Sequence, residues 1–146
     1  MELDTAIDFA RTNRHSVLTT IRGNGRPQLS NVVHHVFEDG TIRISITADR
    51  AKYRNLSREP WAALHVTRED FFAYAVLEGD VELTPVAAQP QDATVEELVA
   101  YYKAVVGEHE DWDAYRQAMV TDRRLLVLLT PQRAYGMLPA RTPRGS

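Results

Sequence analysis

The sequence contains no cysteine. That absence removes disulfide frameworks, thiolate nucleophiles, zinc–cysteine sites and iron–sulfur clusters, and it fits a reducing compartment. No apolar run approaches the roughly 20 residues needed to span a bilayer, and the first residues are polar and acidic rather than basic and apolar. Neither a membrane span nor a secretory leader is therefore expected, and the chain reads as a cytoplasmic protein. There is no excess of positive charge either: the net charge is −3, which argues against broad nucleic-acid binding, where phosphate neutralisation demands a basic surface. No Gly-x-Gly-x-x-Gly or Walker loop occurs. Ser16, Ser30, Ser45 and Ser57 lie in no nucleophile-elbow setting, so a Ser-His-Asp arrangement has no support. The adjacent His34 and His35 fall in a strand-like stretch and should point to opposite faces, which keeps them from sharing one metal ion. The acidic run around His109, "EHEDWD", lacks helical His-x-x-x-His spacing and reads as a solvated helix start. No metal site is expected, and any chemistry must come from few protein groups or from a cofactor.

What is present is a chain of 146 residues, 44% hydrophobic, enough for one core. A single domain over residues 1–138 is expected, with 139–146 a disordered tail. Leu3, Ala6, Ile7 and Ala10 have the spacing of a short amphipathic helix ending near Asn13. "SVLTTIR" is strand-like, "GNG" at 23–25 is a hairpin turn, and "RPQLSNVVHHVF" returns to a second turn at Glu38-Asp39-Gly40. "TIRISIT" then alternates Ile42, Ile44 and Ile46 against polar residues. A short helix over 50–58 follows, with Asp49 as its N-cap, stopped by Pro60. Two strands, "AALHVT" and "FFAYAVLEGDVELT", come next, the second with a bulge or bend at Gly79. Thr94 and Glu97 have capping-box spacing at the start of a helix whose buried stripe is Val95, Leu98, Val99, Tyr102 and Val106. A helix from Trp112 to Val120 and an apolar strand, "RLLVLLT", buried on both faces, complete the pattern. About six antiparallel strands with peripheral helices predict a mainly β fold, a closed or nearly closed six-stranded barrel.

Charge is uneven along the chain. Residues 1–58 carry nine Lys/Arg against six Asp/Glu, whereas 59–146 carry eight against fourteen. The positive part includes "RAKYRNL", where Arg50, Lys52 and Arg54 gather at a helix N-terminus. Cations there oppose the helix dipole unless an anion sits among them, so Arg50 and Lys52 are candidates to clamp a phosphate, with Asn55 facing back one turn later. A solvated basic helix face is the alternative. "GRPQLSN" places Gln28 and Ser30 on one strand face and Leu29 and Asn31 on the other, offering amide and hydroxyl groups to a planar heterocycle, or else an ordinary solvent-facing hairpin.

Taken together, "TTIRGNGRPQLSN", "RAKYRNL", "AVLEGDVELTP" and "DWDAYRQAMVTDRRLLV" resemble the pyridoxamine-phosphate-oxidase-like family of flavin-binding split barrels, from about Ser16 to Met137. Among its branches the chain looks most like the short enzymes that use the deazaflavin coenzyme F-420 as a hydride carrier. The resemblance implies a split-barrel homodimer with two cofactor sites at the subunit interface. It implies that Arg50 and Lys52 hold the cofactor phosphate with Asn55 nearby, that Gln28, Ser30 and Asn31 meet the ring or ribityl chain, and that Ser45 contributes from the next strand. Arg26 would approach the phosphate or the anionic tail, and Phe72 and Tyr74 would reach in from the partner chain. The C-terminus lacks the Trp- and Arg-containing segment of the pyridoxamine-oxidising branch, so oxidation of vitamin B6 phosphates is not expected. Arg22, Arg26, Arg54 and Arg58 exceed what a single flavin mononucleotide (FMN) phosphate needs, which favours the deazaflavin with its carboxylate-rich tail. Two other readings stand beside this reductase: an FMN-dependent oxidase or flavin reductase, and a non-catalytic carrier of either cofactor. The catalytic acid is not identified by the sequence.

Overall fold

In the computed structural model of the chain, which describes residues 1–139, six strands close into one antiparallel barrel. The strands are β1 (His15–Ile21), β2 (Pro27–Val36), β3 (Ile42–Thr47), β4 (Trp61–Thr67), β5 (Tyr74–Leu83) and β6 (Arg124–Met137). Their order around the barrel is β1-β2-β3-β6-β5-β4, and closure leaves no exposed edge between β1 and β4. Four helices surround it: α1 (Leu3–Thr12), α2 (Ala51–Arg58), α3 (Ala93–Val105) and α4 (Trp112–Thr121). The expected mainly β, six-stranded barrel is thus borne out; the tail expected at 139–146 lies outside the described residues from 140 onward.

Alternation builds the interior. Ile42, Ile44 and Ile46 of β3 point inward and meet Leu18, Leu64, Leu77 and Leu125 in a core from which water is excluded. The apolar run of β6 is continuous because it serves two cores. Leu125, Val127 and Leu129 face the barrel, whereas Leu126, fully buried, turns outward under α3 and α4 against Val95, Leu98, Tyr115 and Met119. The register of β5 against β6 shifts between Glu78 and Gly79, so Gly79 does mark a bulge.

Several local expectations are corrected by the contacts that form. The N-cap of α2 is Arg50 rather than Asp49, whose carboxylate instead accepts the Thr47 hydroxyl at 2.5 Å. Helix α3 is capped by Asp92, which accepts from the Val95 N–H at 2.8 Å, while the Thr94 hydroxyl reaches back to the Pro85 carbonyl at 2.9 Å. Val106 lies past the end of α3 and is exposed rather than part of the buried stripe. Phe71 and Phe72 sit in the β4–β5 loop, not in β5: an Arg68–Asp70 ion pair of 2.8 Å and a left-handed Phe71 (φ 69°) fold that loop and leave both rings exposed.

His34 and His35 do point to opposite faces. His34 is fully buried, its Nε2–H donating to the Ala10 carbonyl (2.9 Å) and its Nδ1 accepting from Ser16 Oγ–H (2.7 Å), which joins α1, β1 and β2. This Ser-His contact has no carboxylate behind it: the second ring nitrogen of His34 is held by the Ala10 carbonyl, so the pair forms no triad. Burial pushes the His34 pKa down from 6.5 to about 4. Above pH 6.5 the imidazole is neutral in both folded and unfolded chains and stability is unaffected. As pH falls from 6.5 to 4 only the unfolded chain takes up the proton, so folding should weaken by about 3 kcal/mol over that window. Urea midpoints at pH 7 and pH 4 are expected to show that loss in the parent and a smaller one in His34→Gln; equal losses would contradict the assignment.

Candidate functional site

Where β2, β3, β6 and the start of α2 meet, the chain forms a polar cleft of about 350 Å³. Ser30 and Asn31 come from β2, Ser45 and Thr47 from β3, Arg50 and Lys52 from the entry to α2, and Arg124 from the first position of β6. The convergence follows from register. Thr47 pairs with Arg124 at the last rung of β3 and β6, and β3 then runs directly into the turn that starts α2. The Ala48 N–H donates to the Arg123 carbonyl at 3.0 Å, which clamps the turn to the residue before Arg124. Arg123 itself is left-handed (φ 52°), a conformation that disfavours side chains with a Cβ.

The electrostatics of this cleft are one-sided. Lys52 Nζ donates to Ser30 Oγ at 3.3 Å, and Arg124 donates to Ser45 Oγ at 3.2 Å. Among the described residues, none of the ion pairs involves Arg50, Lys52 or Arg124. Partial burial lowers the Lys52 pKa, and the charges of Arg50 and Arg124 lower it further. Helix α2 begins with no side-chain cap and no acidic residue in its first turn, so its free N–H groups add to the same positive field. Three cations that repel one another around hydroxyl and amide groups fit a dianion such as a phosphate monoester, which would accept charge-assisted bonds from all three and relieve the repulsion. The donor set therefore suits the phosphate of FMN or of a deazaflavin.

Of the residues singled out in the sequence, Ser30, Asn31, Ser45, Arg50 and Lys52 line this cleft together. Gln28 and Asn55 stand behind it. Asn55 is buried, and its amide donates to Thr20 Oγ1 (3.1 Å) and Gln28 Oε1 (3.4 Å), a network that ties α2 to β1 and β2 instead of facing the opening. Arg26 is exposed in the β1–β2 turn, outside the cleft lining. Arg58 donates to the Ile21 carbonyl (2.8 Å) and to Asn55 Oδ1 (3.2 Å), so it serves the fold rather than a tail. Phe72 and Tyr74 lie at the β4–β5 end and do not line the cleft of their own chain; Tyr74 packs edge-on against His65 at 5.4 Å. Arg124 was not anticipated: it sits 72 positions from Lys52 in the chain, beside an equally basic Arg123, and only barrel closure shows which of the two faces the site.

A larger groove, about 540 Å³, lies on the outer faces of β1, β2 and β4 with Val17, Val32, Val33 and Phe71 in its wall. No Lys or Arg lines it, in contrast to the smaller cleft. Leu29, Val33, Phe71 and Phe72 leave an apolar surface exposed beside it.

The family model described as pyridoxamine 5'-phosphate oxidase matches residues 4–137. Among solved structures, a conserved hypothetical protein from Mycobacterium tuberculosis superposes with a TM-score of 0.72 at 22% identity, over 100% of this chain and 94% of the other. An F420 reductase matches at 0.62 and 23% identity, over 88% of this chain and 94% of its own. A pyridoxamine 5'-phosphate oxidase-related, FMN-binding protein from Nostoc punctiforme matches at 0.60 and 18%, over 92% and 81%.

Proposed function

The chain belongs to the pyridoxamine 5'-phosphate oxidase family, and on that premise we propose that it is a coenzyme F-420-dependent oxidoreductase. In this reading it works as a cytoplasmic homodimer and reduces an electron-poor double bond of a small apolar substrate. The observation that carries the reading is the trio Arg50, Lys52 and Arg124 around one polar cleft, with no carboxylate among the described residues paired to any of them. Two further points favour the deazaflavin. Arg22, Arg26 and Arg54 form no ion pair among the described residues and lie on the β1–β2 turn and α2, where a carboxylate-bearing tail could follow them. A neighbour of similar length is an F420 reductase.

When bound, the deazaflavin supplies a hydride from C5 of its reduced ring. The residues of this chain bind and orient. Arg50, Lys52 and Arg124 hold the phosphate, Ser30, Asn31 and Ser45 offer hydrogen bonds beyond it, and the Thr20–Gln28–Asn55 network keeps β2 rigid behind them. A second copy seated on Leu29, Val33, Phe71 and Phe72 would cover that apolar surface, exclude water, and bring Phe72 and Tyr74 to the partner's site.

The competing reading, an FMN-dependent oxidase or flavin reductase, draws on the same trio, which recognises either phosphate, and on the FMN-binding neighbour. A turnover assay separates the readings. Chemically reduced F-420 mixed with the protein and a panel of enones and quinones should be reoxidised faster than without protein, seen as recovery of absorbance near 420 nm. Tight F-420 binding with no acceleration across the panel would make the protein a carrier, and acceleration with reduced FMN alone would favour the flavin enzyme.

A further inference from the structure

Through Asn31, Ser45, Lys52 and Arg124 the cationic cleft opens into a second chamber of about 440 Å³ beneath the α3–α4 pair. Its walls differ in kind from those of the cleft. Val33, Tyr101, Tyr102, Tyr115 and Met119 line it, and only Asp122 at the end of α4 carries negative charge there. Two of the three phenols are already engaged. Tyr101 Oη donates to the Val33 carbonyl (2.6 Å) and Tyr115 Oη to the Leu98 carbonyl (2.9 Å), so both offer a ligand ring surface rather than a donor. Burial raises the pKa of each, that of Tyr115 to about 12, which keeps them neutral. Tyr102 is fixed within a cluster of rings, 4.9 Å from Tyr115 and 5.7 Å from Trp112, centroid to centroid. The chamber is thus preformed, aromatic, and polar where it meets the cleft, at Asn31, Ser45, Lys52 and Arg124; Asp122 disfavours an anion elsewhere in it. This volume suits a body of two or three fused rings.

We propose that the chamber is a subsite for a second ligand: a planar conjugated molecule that lays its ring on the tyrosines and turns a carboxylate or carbonyl oxygen toward Arg124. The assignment rests on the cofactor reading, because it takes the neighbouring cleft for the cofactor phosphate; Lys52 and Arg124 line both spaces and so face both ligands.

Calorimetric titration of the full chain with 2-naphthoate, and with cyclohexanecarboxylate as a non-planar acid, tests the proposal, with F-420 titrated into the same proteins. Naphthoate is expected to bind at least tenfold more tightly than the saturated acid. Met119→Trp, which fills the chamber, and Tyr102→Leu, which removes stacking surface at a half-buried position while keeping an apolar side chain there, should each weaken naphthoate at least tenfold and leave F-420 affinity within twofold. Naphthoate binding that is undetectable in the parent or unchanged in Tyr102→Leu would overturn the subsite. Loss of F-420 together with naphthoate in these variants would also overturn it, by giving the chamber to the cofactor ring while the cofactor reading stands. The converse pattern, naphthoate binding sensitive to Tyr102→Leu in a protein that binds neither F-420 nor FMN, would keep a ligand chamber and remove the cofactor reading.

Discussion

Gly79→Ala is expected to cost at least about 4 kcal/mol of folding stability, a large share of the roughly 5–15 kcal/mol that holds a domain of this kind together. The reason is space rather than backbone angle. A Cβ added at Gly79 would stand 2.0 Å from the Thr130 carbonyl oxygen, 3.0 Å from its carbon and 3.1 Å from the Gln132 nitrogen. All three atoms are backbone of β6, so no rotamer change can clear them. Relief requires β5 and β6 to part at the bulge where Gly79 faces Pro131, and those two strands carry the longest ladder of the barrel, from Tyr74–Met137 to Leu83–Val127. Overpacking against a rigid ladder is therefore expected to unseat pairing on both sides of the bulge. Gly25→Ala is the control: it strains a residue with φ 83° in the β1–β2 turn, but the added methyl meets nothing within 4 Å, so a loss of about 1 kcal/mol is expected. Urea midpoints followed by circular dichroism read both, and a Gly79→Ala protein within 1 kcal/mol of the parent would contradict the bulge as described.

The second large effect is on binding. Lys52→Ala alone should weaken cofactor affinity by roughly 1.5–3 kcal/mol, the worth of a hydrogen bond to a charged group. The double variant Lys52→Ala/Arg124→Ala should lose roughly 3–5 kcal/mol, or between about a hundredfold and a few thousandfold. The two losses are not strictly additive, because each cation repels the other in the empty site and removing one relieves part of the strain on what remains. That same repulsion gives the prediction its internal check. Neither cation is paired with a carboxylate among the described residues, so the double variant should fold with stability equal to or slightly above the parent's. Fluorescence titration and thermal melting together decide it: unchanged affinity would remove the phosphate assignment, and a fall in stability parallel to the fall in affinity would mean the two side chains hold the fold instead.

What could be read from the sequence was whatever is settled within a few residues. Ile42, Ile44 and Ile46 announce their strand because alternation is a property of the strand itself, and "GNG" announces its hairpin because Asn and Gly accept the angles the turn needs. Gly79 was legible for the same reason, as a glycine in the interior of a strand-like run too long to stay regular. The residue pattern misleads where a side-chain contact outside the pattern decides. Thr94 has the residue type and spacing of a cap, yet Asp92 caps α3 because the Pro85 carbonyl, left free by the connection before the helix, takes the Thr94 hydroxyl. Phe71 and Phe72 extend the apolar pattern of β5, and only the Arg68–Asp70 pair shows that the chain turns there first.

The site divides along the same line. Arg50 and Lys52 could be found because cations at the start of a helix are unfavourable without an anion, an argument confined to seven residues. Gln28, Ser30 and Asn31 could be named as polar groups of one strand and Asn55 as a polar group one turn into the helix, but which of them face the opening depends on how α2 lies on the barrel: Ser30 and Asn31 do, whereas Gln28 and Asn55 bond to each other behind it. Arg124 had no local signal, since "DRR" before an apolar strand reads as a solvated turn; the pairing of Thr47 with Arg124 supplies the missing information.

The most direct test of the account is parallel titration of the purified protein with oxidised F-420 and with FMN, each followed by ligand fluorescence. The account predicts micromolar or tighter binding of F-420, at least tenfold weaker binding of FMN, and loss of both in Lys52→Ala/Arg124→Ala. Binding of neither cofactor by the parent would contradict it and leave Arg50, Lys52 and Arg124 as a basic surface without a ligand.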